Sequence, residues 1–183
     1  MAYFLHGCLC RRRHKQAIIA EPNLIFGSRF LRRQSVCGMG ISMKEIKWCH
    51  KVQYYETDQR GIAHHSNYIR WFEEARVYFL DEIGFSFRKI EESGIVCPVT
   101  SVSCEYKKMS HFEDNLIIVP VVESFNGVKM TIRYEITDEA TNELRATGKS
   151  GHCFLDRNGY PLRLKKTHPE FYELMMSCVE GND

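Results

Sequence analysis

Long apolar runs, paired cysteines and internal repeats are all missing from this 183-residue chain. No stretch approaches the roughly 18 apolar residues that a helical membrane span needs, so no membrane partner is expected. The eight cysteines, at 8, 10, 37, 49, 97, 104, 153 and 178, include no CxxC pair. That scatter suits free thiols in a reducing compartment better than a disulfide framework, and a cytoplasmic location is expected. Cys8, Cys10 and Cys37 with His14 have no usual zinc-ligand spacing, so no metal is expected either. No repeat or linker divides the body, and at 44% hydrophobic residues the length suits one well-buried domain.

A strong net charge is also lacking, but the charge is unevenly spread. The first 42 residues carry seven Lys or Arg against the single acid Glu21, leaving 18 basic and 22 acidic residues in the rest. A mildly acidic body argues against a nucleic-acid-binding surface there. In "MAYFLHGCLCRRRHKQ" the basic cluster follows a short apolar part, the reverse of a secretory leader. "MKEIKWCHKVQYY", from Met43, reads as a natural start running directly into a strand. Residues 1–42 are therefore expected to be a basic extension, mostly disordered or upstream of the true start, and 43–183 the folded domain.

Within that body Ile46, Trp48, Val52 and Tyr54 alternate with Lys47, Lys51 and Gln53, a half-buried strand that puts Tyr54 on the inward face. Ser66 or Asn67 can cap a helix over about 68–83, apolar around most of its circumference and hence enclosed. Arg70 and Glu74 mark its narrow polar side, and Gly84 supplies its stop. A short helical turn over 87–92 precedes four strand-like runs, at 95–107, 115–124, 128–138 and 144–155. Val128, Met130, Ile132, Tyr134 and Ile136 make the third the clearest alternation. "FNGV" and "DEATNE" read as turns between antiparallel neighbours, and Pro120 argues for an edge or a bulge. Thr167-His168-Pro169-Glu170 reads as a capping box opening a last helix with Phe171, Leu174, Met175 and Cys178 on it. One strand, a long apolar helix and four antiparallel strands bury the helix best if a curved sheet wraps it. That is an α+β architecture with the layout of the hot-dog fold: about five strands around one central helix.

The chemistry concentrates in "YETDQRGIAHHSNYIRWFEEAR", residues 55–76. Asp58 lies past a strand end and shortly before a helix whose first amides lack partners. Those amides and the helix dipole favour a developing negative charge, while Gly61 lets the backbone turn tightly near a ligand. An acid opposite an amide-lined helix start is half of an acyl-transfer site: the acid attacks or activates water and the amides hold the oxyanion. Taken alone, Asp58 reads first as a loop or capping acid, since such acids commonly serve turns. A metal site from Asp58, His64 and His65 is disfavoured, because adjacent side chains diverge and no third His or Cys supports them.

With its Thr57-Asp58, Gly61-Ile62-Ala63, His64-His65, Asn67-Tyr68 and Phe72-Glu73-Glu74-Ala75-Arg76, the stretch resembles the signature of the 4-hydroxybenzoyl-CoA thioesterase family. The likeness is strongest to its YbgC-type acyl-CoA thioesterase branch. "YKKMSHFEDNLIIV", residues 106–119 with Asp114, resembles the family's passage between the second and third strands. The resemblance runs from 43 to about 161. It implies a hydrolase of acyl-CoA, or of acyl-carrier-protein, thioesters with no cofactor. Asp58 matches the essential carboxylate, as nucleophile or general base. His65 matches the position whose amide faces the thioester oxygen and whose side chain the branch counts as catalytic. Tyr54 matches an assisting tyrosine. Gly61 and Asn67 fall at substrate-side positions of the motif. The family's assembly implies a homodimer or homotetramer with sites between subunits.

Lys107 and Lys108 follow the second strand and could meet CoA phosphates, although exposed lysines are by default solvated charges. Arg133 has the same standing, and Phe79, Phe85 and Phe87 are either acyl-pocket lining or core. A non-catalytic hot-dog module that binds acyl ligands or only dimerises is the competing expectation. A basic-tail protein reaching nucleic acid or membrane through residues 1–42 is another. An intact Asp58 and His65 count against a pure binder.

Overall fold

A computed structural model describes residues 46–181; the basic extension expected at 1–42 lies outside them. Five strands, β1 (Trp48–Lys51), β2 (Val99–Tyr106), β3 (Asn115–Phe125), β4 (Lys129–Asp138) and β5 (Leu144–Cys153), form one sheet in the order β1-β3-β4-β5-β2. Every pairing is antiparallel. Between β1 and β2 run a 3-10 turn (Tyr54–Glu56), the long helix α1 (Ser66–Glu82) and the short α2 (Phe87–Glu92). Two C-terminal helices, α3 (Leu164–Thr167) and α4 (Pro169–Ser177), follow β5. The α+β hot-dog layout is thus present. No helix among the described residues is long and apolar enough to cross a membrane.

The period-two pattern does its work in β4, where Met130, Ile132, Tyr134 and Ile136 are all buried in the core that also holds the inner face of α1, and alternate with more exposed neighbours. From the helix, Tyr68, Trp71, Phe72, Ala75 and Phe79 go inward. Phe72 stacks on Tyr134 with ring centroids 4.4 Å apart and planes 16° from parallel. This close approach needs the bare backbone of Gly148 in β5, where an added Cβ would fall 2.3 Å from the Phe72 ring.

The sheet's two edges differ. β1 pairs β3 only from Asn115 to Ile118, so Pro120 lies beyond its end, where no ladder donor is required of it. Past a register shift between Val122 and Ser124, the C-terminal segment covers the same edge through a Val122–Val179 bridge and a Glu180 amide donating to the Val122 carbonyl at 3.0 Å. β2 forms the other edge, with every residue exposed except the half-buried Cys104.

Two sequence expectations need correction. Tyr54 does not continue the first strand on its inward face: β1 stops at Lys51, and Tyr54 is 78% exposed. The chain turns because the Glu56 carboxylate folds back to accept the Gln53 amide at 2.8 Å, closing the 3-10 turn. Thr167 does not open the last helix either. It ends α3, its hydroxyl donates to the Arg163 carbonyl, and α4 starts at Pro169 with no side-chain cap. Proline at the first helical position serves there instead.

Candidate active site

The loop joining the 3-10 turn to α1 is built on its own acid. The Asp58 amide donates to the Ile62 carbonyl at 2.8 Å, and the Gly61 amide donates to the Asp58 carbonyl at 2.9 Å. Asp58 Oδ1 accepts from the amides of Arg60 at 2.8 Å and Ile62 at 3.2 Å. So tight a turn needs Gly61 at φ +71°, a left-handed conformation open to glycine. Asp58 therefore fills the turn-forming role, yet half its carboxylate is uncommitted: Oδ2 has no partner among the described residues. The side chain is exposed, and the amides of Arg60 and Ile62, helped by the charges of Arg60 and His64, hold its pKa below the ordinary aspartate value. It is ionised at neutral pH.

The end of this loop is the start of α1. Ala63 donates its amide to the Ser110 carbonyl at 2.8 Å and His64 to the Glu56 carbonyl at 2.8 Å. Ser66 reaches His64 Nδ1 at 3.4 Å, and Asn67 the His64 carbonyl at 3.0 Å. The His65 amide is left without an acceptor among the described residues, at the N-cap of α1, where the helix dipole adds positive potential. An exposed carboxylate and a free amide at a helix start are the two parts that acyl transfer requires.

Beside them a cavity of about 610 Å³ is lined by Ile62, Ala63, His65, Tyr68, Tyr106 and Arg145, with Lys107, Lys108, Met109 and His111 at the same wall. Tyr106, at the end of β2, donates its hydroxyl to the His65 carbonyl at 3.2 Å. Burial and the neighbouring Cys104 push the Tyr106 hydroxyl up to about 12, so it remains a donor at neutral pH. Arg145 anchors the loop that forms the wall: it donates to the Met109 carbonyl at 2.7 Å and pairs with Asp138 at 2.8 Å. That pair and the Thr141 amide lower the Asp138 carboxyl to about 2, despite its burial. Asp114 caps the His111 amide at 2.8 Å within the same loop.

Of the residues anticipated from sequence, His65, Lys107 and Lys108 line this cavity. Both lysines are ion-paired, Lys107 with Glu105 at 2.7 Å and Lys108 with Glu143. Asp58 and Gly61 sit on the adjoining loop, whose Ile62 and Ala63 reach the wall. Asn67 is not brought there: it is buried, and its side-chain amide donates to the Glu56 carbonyl at 2.7 Å. Tyr54 does not line the wall either, its ring lying edge-on to Phe112 at 5.8 Å. Phe79 is core. Phe85 and Phe87 are half-buried, Phe85 against Phe171 and Phe87 beneath the Arg76 guanidinium. Arg133 pairs with Glu135 and Glu180 and does not line the cavity. Tyr106 and Arg145 escaped the sequence reading because a strand pattern assigns faces but not which strand ends meet. No group of three His, Cys, Asp or Glu among the described residues is arranged to hold a metal ion.

Comparisons with known proteins identify the family. The family model for the thioesterase-like superfamily matches residues 52–173. YneP of Bacillus subtilis, named provisionally as an acyl-CoA thioesterase, is 33% identical over 73% of this chain and 94% of its own length. The acyl-CoA thioester hydrolase YbgC of Escherichia coli is 25% identical over 51% of this chain and 69% of its own. Among solved structures, a DHNA-CoA thioesterase from Staphylococcus aureus superposes with a TM-score of 0.68 and 30% identity, covering 72% of this chain and 88% of that one.

Proposed function

The chain belongs to the thioesterase-like superfamily, and from that premise we propose that it is an enzyme that hydrolyses acyl-CoA thioesters to free acid and CoA. The observation that carries this reading is the ionised Asp58, with Oδ2 free, on the loop that leads directly into the unpartnered His65 amide at the start of α1. The thioester carbonyl oxygen points at the His65 amide. Asp58 Oδ2 either takes a proton from water, whose oxygen adds to the carbonyl carbon, or itself adds to that carbon, in which case loss of the thiolate leaves a mixed anhydride that water then opens. In both courses negative charge gathers on the carbonyl oxygen and is held by the amide and helix dipole. The C–S bond then breaks, and the CoA thiolate leaves and takes up a proton. The His65 imidazole, exposed and tilted against His64 with ring centroids 4.1 Å apart, is within the same wall and is assigned a supporting part.

Lys107 and Lys108 are proposed to exchange their present carboxylate partners for CoA phosphates, since exposed ion pairs hold little net energy. Gly61 serves by shaping the turn. Asn67 serves from beneath, through the Glu56 carbonyl, and Tyr54 has a lesser, outer part. β2 is proposed as the pairing edge for a second copy: an edge strand exposed at every residue but Cys104, and carrying Val99, Val102 and Tyr106, is unsatisfied alone, and a homodimer, or a homotetramer built from it, would close the cavity beside it. Cys49, Cys97, Cys104, Cys153 and Cys178 are free thiols, which supports a cytoplasmic enzyme.

Thiol release from short, medium, long and aromatic acyl-CoAs, and from acyl-carrier-protein thioesters, tests the reading. Release from the CoA series supports it. Release from carrier-protein thioesters alone moves the substrate class. Binding without release from any of them would overturn the enzyme reading in favour of an acyl-ligand-binding module.

A further inference from the structure

The carboxylate two residues before Asp58 has a different fate from it. Glu56 is 6% exposed, and each of its oxygens is engaged. Oε1 accepts the Trp71 indole N–H at 2.8 Å, while Oε2 accepts the Gln53 amide at 2.8 Å and His50 Nε2 at 2.8 Å. Burial opposes its charge, but the bonds from Gln53, Trp71 and His50 prevail and the carboxyl stays below its usual range. The Glu56 main-chain carbonyl adds two more acceptances, from the His64 amide at 2.8 Å and the Asn67 side chain at 2.7 Å.

These five bonds reach β1 through His50, the 3-10 turn through Gln53, the far end of the Asp58 loop through His64, and the first two turns of α1 through Asn67 and Trp71. The aromatic partners are themselves immobilised. His50 lies between Trp48 and Trp71, and Trp71 packs on Tyr68, whose hydroxyl donates to Ser110. Only Thr57 separates Glu56 from Asp58, and the residues from 58 to 63 are bracketed by the bonds Glu56 makes on either side. Both ends of the loop that joins Asp58 to the His65 amide are therefore tied to Glu56, while the Ala63 amide's bond to Ser110 holds its inner side.

We infer that Glu56 is a positioning residue: its buried carboxylate fastens strand, loop and helix so that Asp58 is held at the right distance from the helix-start amide. The inference rests on the role proposed for Asp58. Misplacement of a reacting group by about 1 Å can lower a rate by about a hundredfold, so loosening this anchor affects turnover more than substrate binding.

Glu56→Gln keeps the shape but removes the charge and one acceptor site. Its kcat is expected to fall by about tenfold or more with KM within about threefold, the signature of lost transition-state alignment. In an Asp58→Asn background the same change is expected to have no further effect beyond about twofold, because it acts through Asp58. Independently of activity, amide hydrogen exchange over residues 57–65 should quicken about tenfold while β4 is unchanged. An unchanged loop exchange rate overturns the inference. So does an equal loss of rate in both backgrounds. If Asp58→Asn alone retains wild-type activity, the role of Asp58 falls, and loop exchange still decides whether Glu56 holds the loop. Should Glu56→Gln fail to fold, Trp71→Phe, which removes a single donor, is expected to change kcat and loop exchange in the same directions by about threefold; no change in either would overturn the inference.

Discussion

One helix, α1, is held in two different ways along its length. Its middle is fixed by apolar contact: Phe72 lies flat on Tyr134 above a strand that has no side chain at Gly148, and Ala75 and Phe79 continue the seam. Its start is fixed by a handful of polar bonds to the Glu56 carboxylate and carbonyl, with His64, His65 and Ser66 left exposed. Apolar packing is tolerant of direction and robust to charge. Hydrogen bonds to one buried acceptor set distances but depend on every partner. The difference predicts that stability and chemistry are separable in this domain: the seam holds the fold, and the anchored loop holds the groups proposed to react.

The seam should be the more damaging place to cut. Phe72→Ala is expected to destabilise by about 3–5 kcal/mol, the range for removing a buried aromatic ring, as read by urea unfolding. A loss below about 1 kcal/mol would mean that Tyr134 and its neighbours close the gap, and that the seam is not the principal support.

A second effect comes from the polar chain laid across the same seam. His152 Nε2 bonds Ser150 Oγ at 2.7 Å, and Ser150 bonds the Tyr134 hydroxyl at 2.8 Å. Burial, together with the Arg76 charge, pushes the His152 imidazole down to about 4. Its unfolded counterpart takes up a proton near pH 6.5, so the unfolded state binds more protons between about pH 6.5 and 4. Stability from this group is full above that window and is lost as pH falls through it, with a slope of at most about 1.4 kcal/mol per pH unit. Unfolding midpoints measured across the window, with and without His152→Gln, check this. The substitution should flatten the slope.

The smallest effect is expected at Tyr54. With its ring exposed and edge-on to Phe112, Tyr54→Phe should change kcat/KM by no more than about threefold, the scale of one exposed hydrogen bond. A loss of a hundredfold would show that this hydroxyl turns inward when substrate binds.

How far these two regions were readable in advance follows from their physics. Alternation in β4 and the apolar stripe of α1 report burial directly, and the edge position of Pro120 follows from its missing donor. The α+β layout and the grouping of Asp58, Gly61 and His65 before the helix came from such local signals and from the motif that resembles the thioesterases. Tyr54 was misplaced because period-two reading assumes that the strand continues. The break comes from Glu56 reaching back to Gln53, a side-chain bond that no periodicity encodes. Asn67 looked available for the same reason, since its partner carbonyl is eleven residues away in sequence. The cavity wall joins the end of β2, Arg145 of β5 and the loop before β3, contacts that only the closed sheet brings together.

The central claim is that Asp58 performs the chemistry while being dispensable to the fold. Its most direct test is thiol release from acyl-CoA by wild type and Asp58→Asn, purified side by side at neutral pH. Asparagine can still accept the Arg60 and Ile62 amides through its Oδ1, so the turn should persist and the unfolding midpoint should fall only slightly, by what the lost charge contributed. The prediction is a fall in kcat of at least about a hundredfold, the order expected when a nucleophile or general base is removed. Equal rates in the two proteins would contradict it.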